Sequence, residues 1–471
     1  PCGQKFVGRG TNTRSYIPVV ASLFESGRGF MDEGANDPFF CDMAQLTGME
    51  MDGKTFDQIR KLIETAKSKG QWLILAGHEM NDDGSQTTRL ATLEALCKYA
   101  ADPSNEIWID HVHHIASYVK EKRGEKTYEP LPVYKNPLFP VRQRVEDLLS
   151  KMTLEEKVGQ MNIPCVYKKR IGWGLESEDL SIHKKLTLEE RQIQMEGCRK
   201  FARGDHNTQI GPGGGFFTLA DRIIYEGTRR QAEFFNELQD IAVNESRLGI
   251  PLLQIEEGTH GFMCAGGTVF PEGLAIGSTW NMDLVRKVYG VVAREGRATG
   301  AHMLCTLVIE PNRDPRLGRN QEGYSEDPWM CSRIAETIVT SMQGFDVSGK
   351  DKVVAALCHY PGQSEPMSGL ERGAMEVSER KLREVFLPPW EAGIKKCGAL
   401  AVMATYPAID GTTVHSSPDL LKTLLRDKLG FEGIVLSEGR GISTILDEHM
   451  TKSQKEAGQI AVKAGVDVGI S

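Results

Sequence analysis

The sequence has 471 residues, 40% of them apolar and 25% charged, which is the composition of a folded globular chain and excludes a disordered or fibrous one. Lysine and arginine total 56 against 64 aspartate and glutamate, a net charge of −8 without a long basic run, so a nucleic acid is not an expected partner. Apolar runs such as Ala399 to Thr405 reach only strand length, short of the roughly 20 residues of a membrane helix.

The chain opens at Pro1 without a methionine and stops at Ser471 directly after the strand-like "AGVDVGIS", so a piece of a longer protein is expected and the compartment is left open. Ten cysteines stand singly from Cys2 to Cys397 with no CxxC pair, and read as small core residues rather than a zinc ribbon or disulfide framework. Near the end of the first segment, "WIDHVHHIASYV" has helical spacing. It gathers Asp110, His111, His113 and His114, with His111 and His114 on one face. No carboxylate partner is evident, so these are taken as solvated histidines and no metal site or cofactor is expected.

A run from Gly124 to Pro140, "GEKTYEPLPVYKNPLFP", is proline-rich and aperiodic and reads as a linker between residues 1–123 and 141–471. Beyond it, short apolar strands alternate with amphipathic helices. Thr153 and Glu156 form a capping box, and helices are predicted from Arg229, Asn281, Ser378 and Thr451. "GPGGGFF" at Gly211 lacks the lysine and hydroxyl of a phosphate loop and reads as an entry into a strand. Strands are predicted near Gly159–Ile163, Gly215–Leu219, Leu252–Ile255, Met303–Ile309, Val353–Leu357, Leu400–Thr405, Ile434–Ser437 and Val466–Ile470. This alternation predicts an α/β chain, a (β/α)8 TIM-type barrel preceded by a partial α/β segment.

Such a barrel carries its active site at the carboxyl ends of its strands. Read off there, the sequence gives Glu256 and Glu257, then Arg313, Asp314, Arg316 and Arg319, then His359, Tyr406 and Glu438. Carboxylates and arginines around an aromatic ring suit vicinal sugar hydroxyls and an oxocarbenium-like transition state.

From Arg142 to Ser471 the chain resembles glycoside hydrolase family 3 in "RVEDLLSKMTLEEKVGQM", "GIPLLQIEEGTHG", "GTVFPEGLAIGSTWN", "NRDPRLGRNQEGYSEDP", "LREVFLPPWEAGIK" and "GFEGIVLSEG". The resemblance implies a retaining hydrolase of β-linked sugars, β-glucosidase-like, with a glycoside as its partner. It puts the nucleophile at Glu438, where the family usually has aspartate. It assigns sugar contacts to Glu257 and Arg316; the strand-end reading adds Arg319, His359 and Tyr406, the last either touching sugar or packing the barrel mouth. The family's Lys-His pair reads here as Cys358-His359, a thiol in place of a charged donor. No general acid/base is identified. In many members it comes from a following domain, and in the loop after "CHYPGQSEP" the carboxyl groups are Glu365 and Glu371.

Residues 1–123 resemble the carboxyl-terminal half of a polysaccharide deacetylase through "PCG" at Pro1 and "WLILAGHE" ending in His78, without that family's metal motifs. Two alternatives to the hydrolase stay open. One is a catalytically impaired carbohydrate-binding pseudo-enzyme; the other is a deacetylase remnant with an accessory barrel.

Overall fold

The computed structural model describes residues 6–7, 14–29, 33–125, 132–137, 139–165, 186–205 and 212–470. The "PCG" motif, Gly211 and linker positions 126–131 and 138 lie outside them. The chain divides into two compact units, Pro1–Ser150 and Lys151–Ser471.

In the first unit, two short parallel pairs, Met49–Glu50 with Leu75–Ala76 and Glu79–Asn81 with Thr87–Arg89, accompany helices Phe56–Ser68, Leu90–Ala101 and Val112–Arg123. Small apolar clusters around Leu46 with Trp72 and around Ile59 with Leu96 hold them. Helix Val141–Lys151 buries none of its residues and is tied to the preceding segment by Tyr134, whose N–H donates to Asp147 Oδ2 and whose carbonyl accepts from Arg144 Nε.

The second unit follows the predicted alternation. Its strands are β1 (Asn162–Ile163), β2 (Gly215–Phe217), β3 (Leu253–Glu257), β4 (Met303–Val308), β5 (Val354–Tyr360), β6 (Ala401–Ala404), β7 (Ile434–Ser437) and β8 (Gly469–Ile470). β2 to β7 form one curled parallel sheet in sequence order, and β8 pairs with β1 in a second parallel pair. Single parallel bridges join Cys165 to Phe217 and Leu436 to Val468. The unit is thus a mixed α/β fold built on a curled parallel sheet.

Local chemistry explains the helices between the strands. Thr153 Oγ1 accepts the Glu156 N–H while Glu156 Oε2 accepts the Thr153 N–H, closing the predicted capping box. Asn281 and Ser453 cap Met282–Ala298 and Gln454–Ala464, and the latter ends at Gly465 with φ of +119°, a left-handed turn that glycine adopts without steric cost.

Strand periodicity then sorts side chains into two layers. Ile255, Met303, Cys305, Ala356, Cys358, Ala401, Met403 and Leu436 pack on the inner face, with Ile163, Phe217 and Ile470 from the remaining strands. Their neighbours Leu304, Ala355, Leu357, Val402, Ala404 and Val435 pack outward against the helices. Continued by two residues, the same period sends Glu257 and Glu438 inward at the ends of β3 and β7.

Candidate active site

At those strand ends lies a cavity of about 790 Å³. Among its lining residues are Glu257, Arg319, His359, Arg372, Tyr406 and Glu438, with Phe217, Cys305, Cys358 and Met403 giving an apolar, sulfur-rich surface.

Glu438 is 7% exposed. Its Oε1 accepts from Arg319 Nη1 at 3.2 Å and lies 3.3 Å from His359 Nε2. Its Oε2 is buried without a hydrogen-bond partner among the described residues. Burial pushes the carboxyl up to about 8; the Arg319 guanidinium pulls it back down and Glu371 adds to the rise. His359 gives its Nδ1 proton to Gln363 Oε1, and burial, with Arg319 nearby, holds the ring well below the usual histidine range. A neutral ring with Nδ1–H used leaves a lone pair on Nε2. Its contact with Glu438 is then a hydrogen bond when the carboxyl carries a proton.

Arg319 is the hub of this arrangement. Nε and Nη2 grip Glu322 in a bidentate pair at 2.8 Å each, and Nη1 reaches both Glu371 at 2.6 Å and Glu438. One guanidinium therefore serves three carboxyl groups, and the Glu371 and Glu438 oxygens that share Nη1 lie within about 6 Å of each other. Glu365, the other carboxyl group of that loop, is paired with Lys381 at 2.7 Å.

Tyr406 donates its hydroxyl to the Gly439 carbonyl at 2.7 Å, under the Arg372 guanidinium 4.1 Å from the ring centre. This stacks the aromatic ring beside the turn that follows Glu438. β5 contributes two consecutive residues, Cys358 and His359, because its register shifts between Leu357 and Tyr360 and breaks the inward-outward alternation.

Other sequence candidates fall elsewhere. Arg316 stands 66% exposed, held by Asp314 through Nε and Nη2, and is not among the lining residues; the neighbouring carboxylate has captured the fork expected to grip sugar. Arg313 is exposed and also outside the lining set. Glu256, one residue out of phase with Glu257, points to the helix layer and accepts the Leu219 and Ala220 N–H groups at 3.1 and 3.0 Å.

Sequence reading did not single out five participants: Cys305, Glu322, Gln363, Arg372 and Glu310. Glu310 is fully buried just after β4. It accepts from Gly362 N at 2.6 Å, Trp390 Nε1 at 3.2 Å and Ser364 at 3.3 Å, anchoring the loop that carries Gln363. Its position directly past a strand is the same signal that exposes Glu438. For Gln363 and Arg372 the chain offers no such signal.

Residues 153–471 match the family described as the glycosyl hydrolase family 3 N terminal domain. A putative beta-xylosidase of Formosa agariphila is 31% identical over 350 residues, which are 74% of this chain and 43% of that protein. A periplasmic beta-glucosidase of Salmonella typhimurium is 31% identical over 327 residues, 69% of this chain and 37% of that protein. The solved structure of a β-glucosidase from Erythrobacter marinus superposes with a TM-score of 0.60 at 27% identity, over 72% of this chain and 41% of that one. The chain thus spans less than half the length of these relatives. The family match starts at residue 153 and gives no support to the deacetylase-like reading of residues 1–123. By the extent of that match, the chain belongs to glycosyl hydrolase family 3.

Proposed function

We propose that this chain bears the sugar-binding cavity and the nucleophile of a retaining hydrolase acting on β-glycosides. The observation that carries the reading is the Glu438 carboxyl at the end of β7, turned into a cavity it shares with Glu257 and His359. Ionised, Glu438 attacks the anomeric carbon as the bond to the aglycone oxygen breaks; the aglycone leaves with a proton taken from solvent, and water then cleaves the glycosyl ester to free sugar and the Glu438 carboxylate. Glu257 accepts hydrogen bonds from sugar hydroxyls and Arg319 steadies the ionised nucleophile. Relatives named beta-glucosidase and beta-xylosidase support a β-linked hexoside or pentoside as the substrate class.

The frame in this reading is an eight-stranded barrel. The bridges Cys165–Phe217 and Leu436–Val468 and an inner cluster drawn from all eight strands support closure. Residues 1–123 as a deacetylase-like remnant and 124–140 as a linker belong to the same proposal.

The test uses the full chain with a 2-fluoro aryl β-glucoside and the matching β-xyloside. A glycosyl adduct mapped by mass spectrometry to Glu438 supports the nucleophile. Turnover of the parent aryl glycosides that persists in Glu438→Gln removes it. The Glu438 carboxyl, pushed up to about 8, favours a second reading, a glycoside-binding chain that turns nothing over at neutral pH. Binding of glucose or xylose at pH 7 with no turnover there selects it.

A further inference from the structure

The first unit holds a feature that the hydrolase reading does not use. Asp110 ends the extended segment before helix Val112–Arg123, His111 is that helix's N-cap residue, and His114 lies in its first turn. Asp110 Oδ1 lies 2.9 Å from His114 Nδ1 and 3.3 Å from His111 Nδ1, and the ligating atoms of all three residues lie within 4.8 Å of one another. No other three groups of this kind converge among the described residues. The carboxylate partner that the sequence did not reveal is thus Asp110 itself, placed between both rings by the bend into the helix.

These spacings match a coordination shell. At metal–ligand distances of about 2.0–2.2 Å, neighbouring donors sit about 2.9 Å apart around an octahedral ion and about 3.4 Å apart around a tetrahedral one. The separations of 2.9 and 3.3 Å from Asp110 Oδ1 lie within the span of these two values. Two imidazoles and one carboxylate also make a donor set that suits Zn2+, Ni2+ or Cu2+ and disfavours Mg2+, which demands oxygen ligands.

The carboxylate is held in place. Asp110 is only 28% exposed on its side chain, and its Oδ1 accepts the His111 backbone N–H at 2.7 Å. Such an outer contact orients a ligating carboxylate. The rings, 86% and 60% exposed, face solvent on either side of it and leave an ion a path of entry and room for water as remaining ligands. The negative charge one residue before the N-cap also offsets the positive end of the helix dipole, which would otherwise oppose a cation there.

We propose that Asp110, His111 and His114 form a binding site for one divalent transition-metal ion of the Zn2+ class. The ion sits between Asp110 Oδ1 and the two Nδ1 atoms, each ring binding through the Nδ1 lone pair as its neutral Nε2–H tautomer, and ties the segment before the helix to its first turn. His113, on the same helix but outside the convergent set, takes no part. The site is independent of the hydrolase reading and stands or falls without it.

The test is titration of the full chain with Zn2+ followed by calorimetry, repeated with Mg2+ and with three variants. Wild type and His113→Ala are expected to take up one Zn2+ with the same affinity and no Mg2+. The double variant His111→Ala/His114→Ala, and Asp110→Asn, are expected to weaken that site at least tenfold with an unchanged helical circular dichroism signal. Free cysteines are a competing source of Zn2+ affinity, and the double variant separates them, because thiol binding survives it. Zn2+ binding of equal strength in wild type and double variant overturns the proposal, and so does an untagged wild-type chain that Ni2+ resin fails to retain.

Discussion

Asp314 and Glu438 each answer to an arginine from the same short stretch, "DPRLGR", and they titrate in opposite directions. Asp314 has Arg316 to itself, held through Nε, Nη2 and the backbone N–H, and those hydrogen bonds pull its carboxyl down to about 2. Glu438 lies at the buried end of β7 and shares Arg319 with Glu322 and Glu371, and burial pushes it up to about 8. A guanidinium is worth most to a carboxylate when undivided, and a buried carboxyl that must share one stays protonated longer. The first pair is an ordinary loop clasp. The second is the kind of perturbed group that marks a reactive site.

Breaking the Glu438 side of the contrast has the largest expected effect. Glu438→Gln removes the proposed nucleophile, and turnover of an aryl β-glucoside should fall on the order of 10⁴-fold. Stability should move the other way with alkali. In wild type the cost of ionising the buried carboxyl is absent below pH 4.5, grows as pH rises through the interval to about 8, and is complete above it; Glu438→Gln flattens that slope in urea titrations. Arg319→Met deprives Glu438 of its shared cation. Its pH–rate limb should shift to higher pH and turnover drop roughly 10²-fold.

Glu310→Ala sharpens the comparison from outside the cavity. It strands the Gly362 and Trp390 N–H groups, at about 3 kcal/mol by chemical denaturation. His415 supplies a buried group of the other sign. Both ring nitrogens are buried without hydrogen bonds among the described residues, and burial, with Arg372 nearby, lowers the ring to about 3. An unfolded chain takes up that proton below the usual histidine value near 6.5, so wild type loses stability as pH falls from there toward 3. His415→Leu should show a smaller drop in Tm between pH 7 and pH 4. Asp314→Asn closes the series, with no resolvable change in turnover and a slight one in Tm.

Much of this was readable beforehand. All eight strand positions of the second unit come from short apolar runs between amphipathic helices, and the family resemblance singled out Glu257 and Glu438 at the strand ends, which the two-residue period of the strands turns inward. The choice between Arg316 and Arg319 was not readable. Their spacing in the chain is equally suited to the cavity, and the outcome depends on Asp314 reaching Arg316 first. Gln363 and Glu310 meet through a loop fold and an aromatic side chain eighty positions along, which no local pattern encodes. Asp110 was in plain view but read as unpartnered, since only the bend at the helix start brings both rings to one oxygen.

The slip of register in β5 has a bearing on how this cavity can change over generations of mutation. A regular strand offers its hollow every second side chain, so adjusting one contact disturbs a residue whose neighbours serve the helix layer. Here Cys358 and His359 project together, so a change at position 358 alters the lining directly beside the imidazole. On the proposed function, preference among sugars is then adjustable at a single codon.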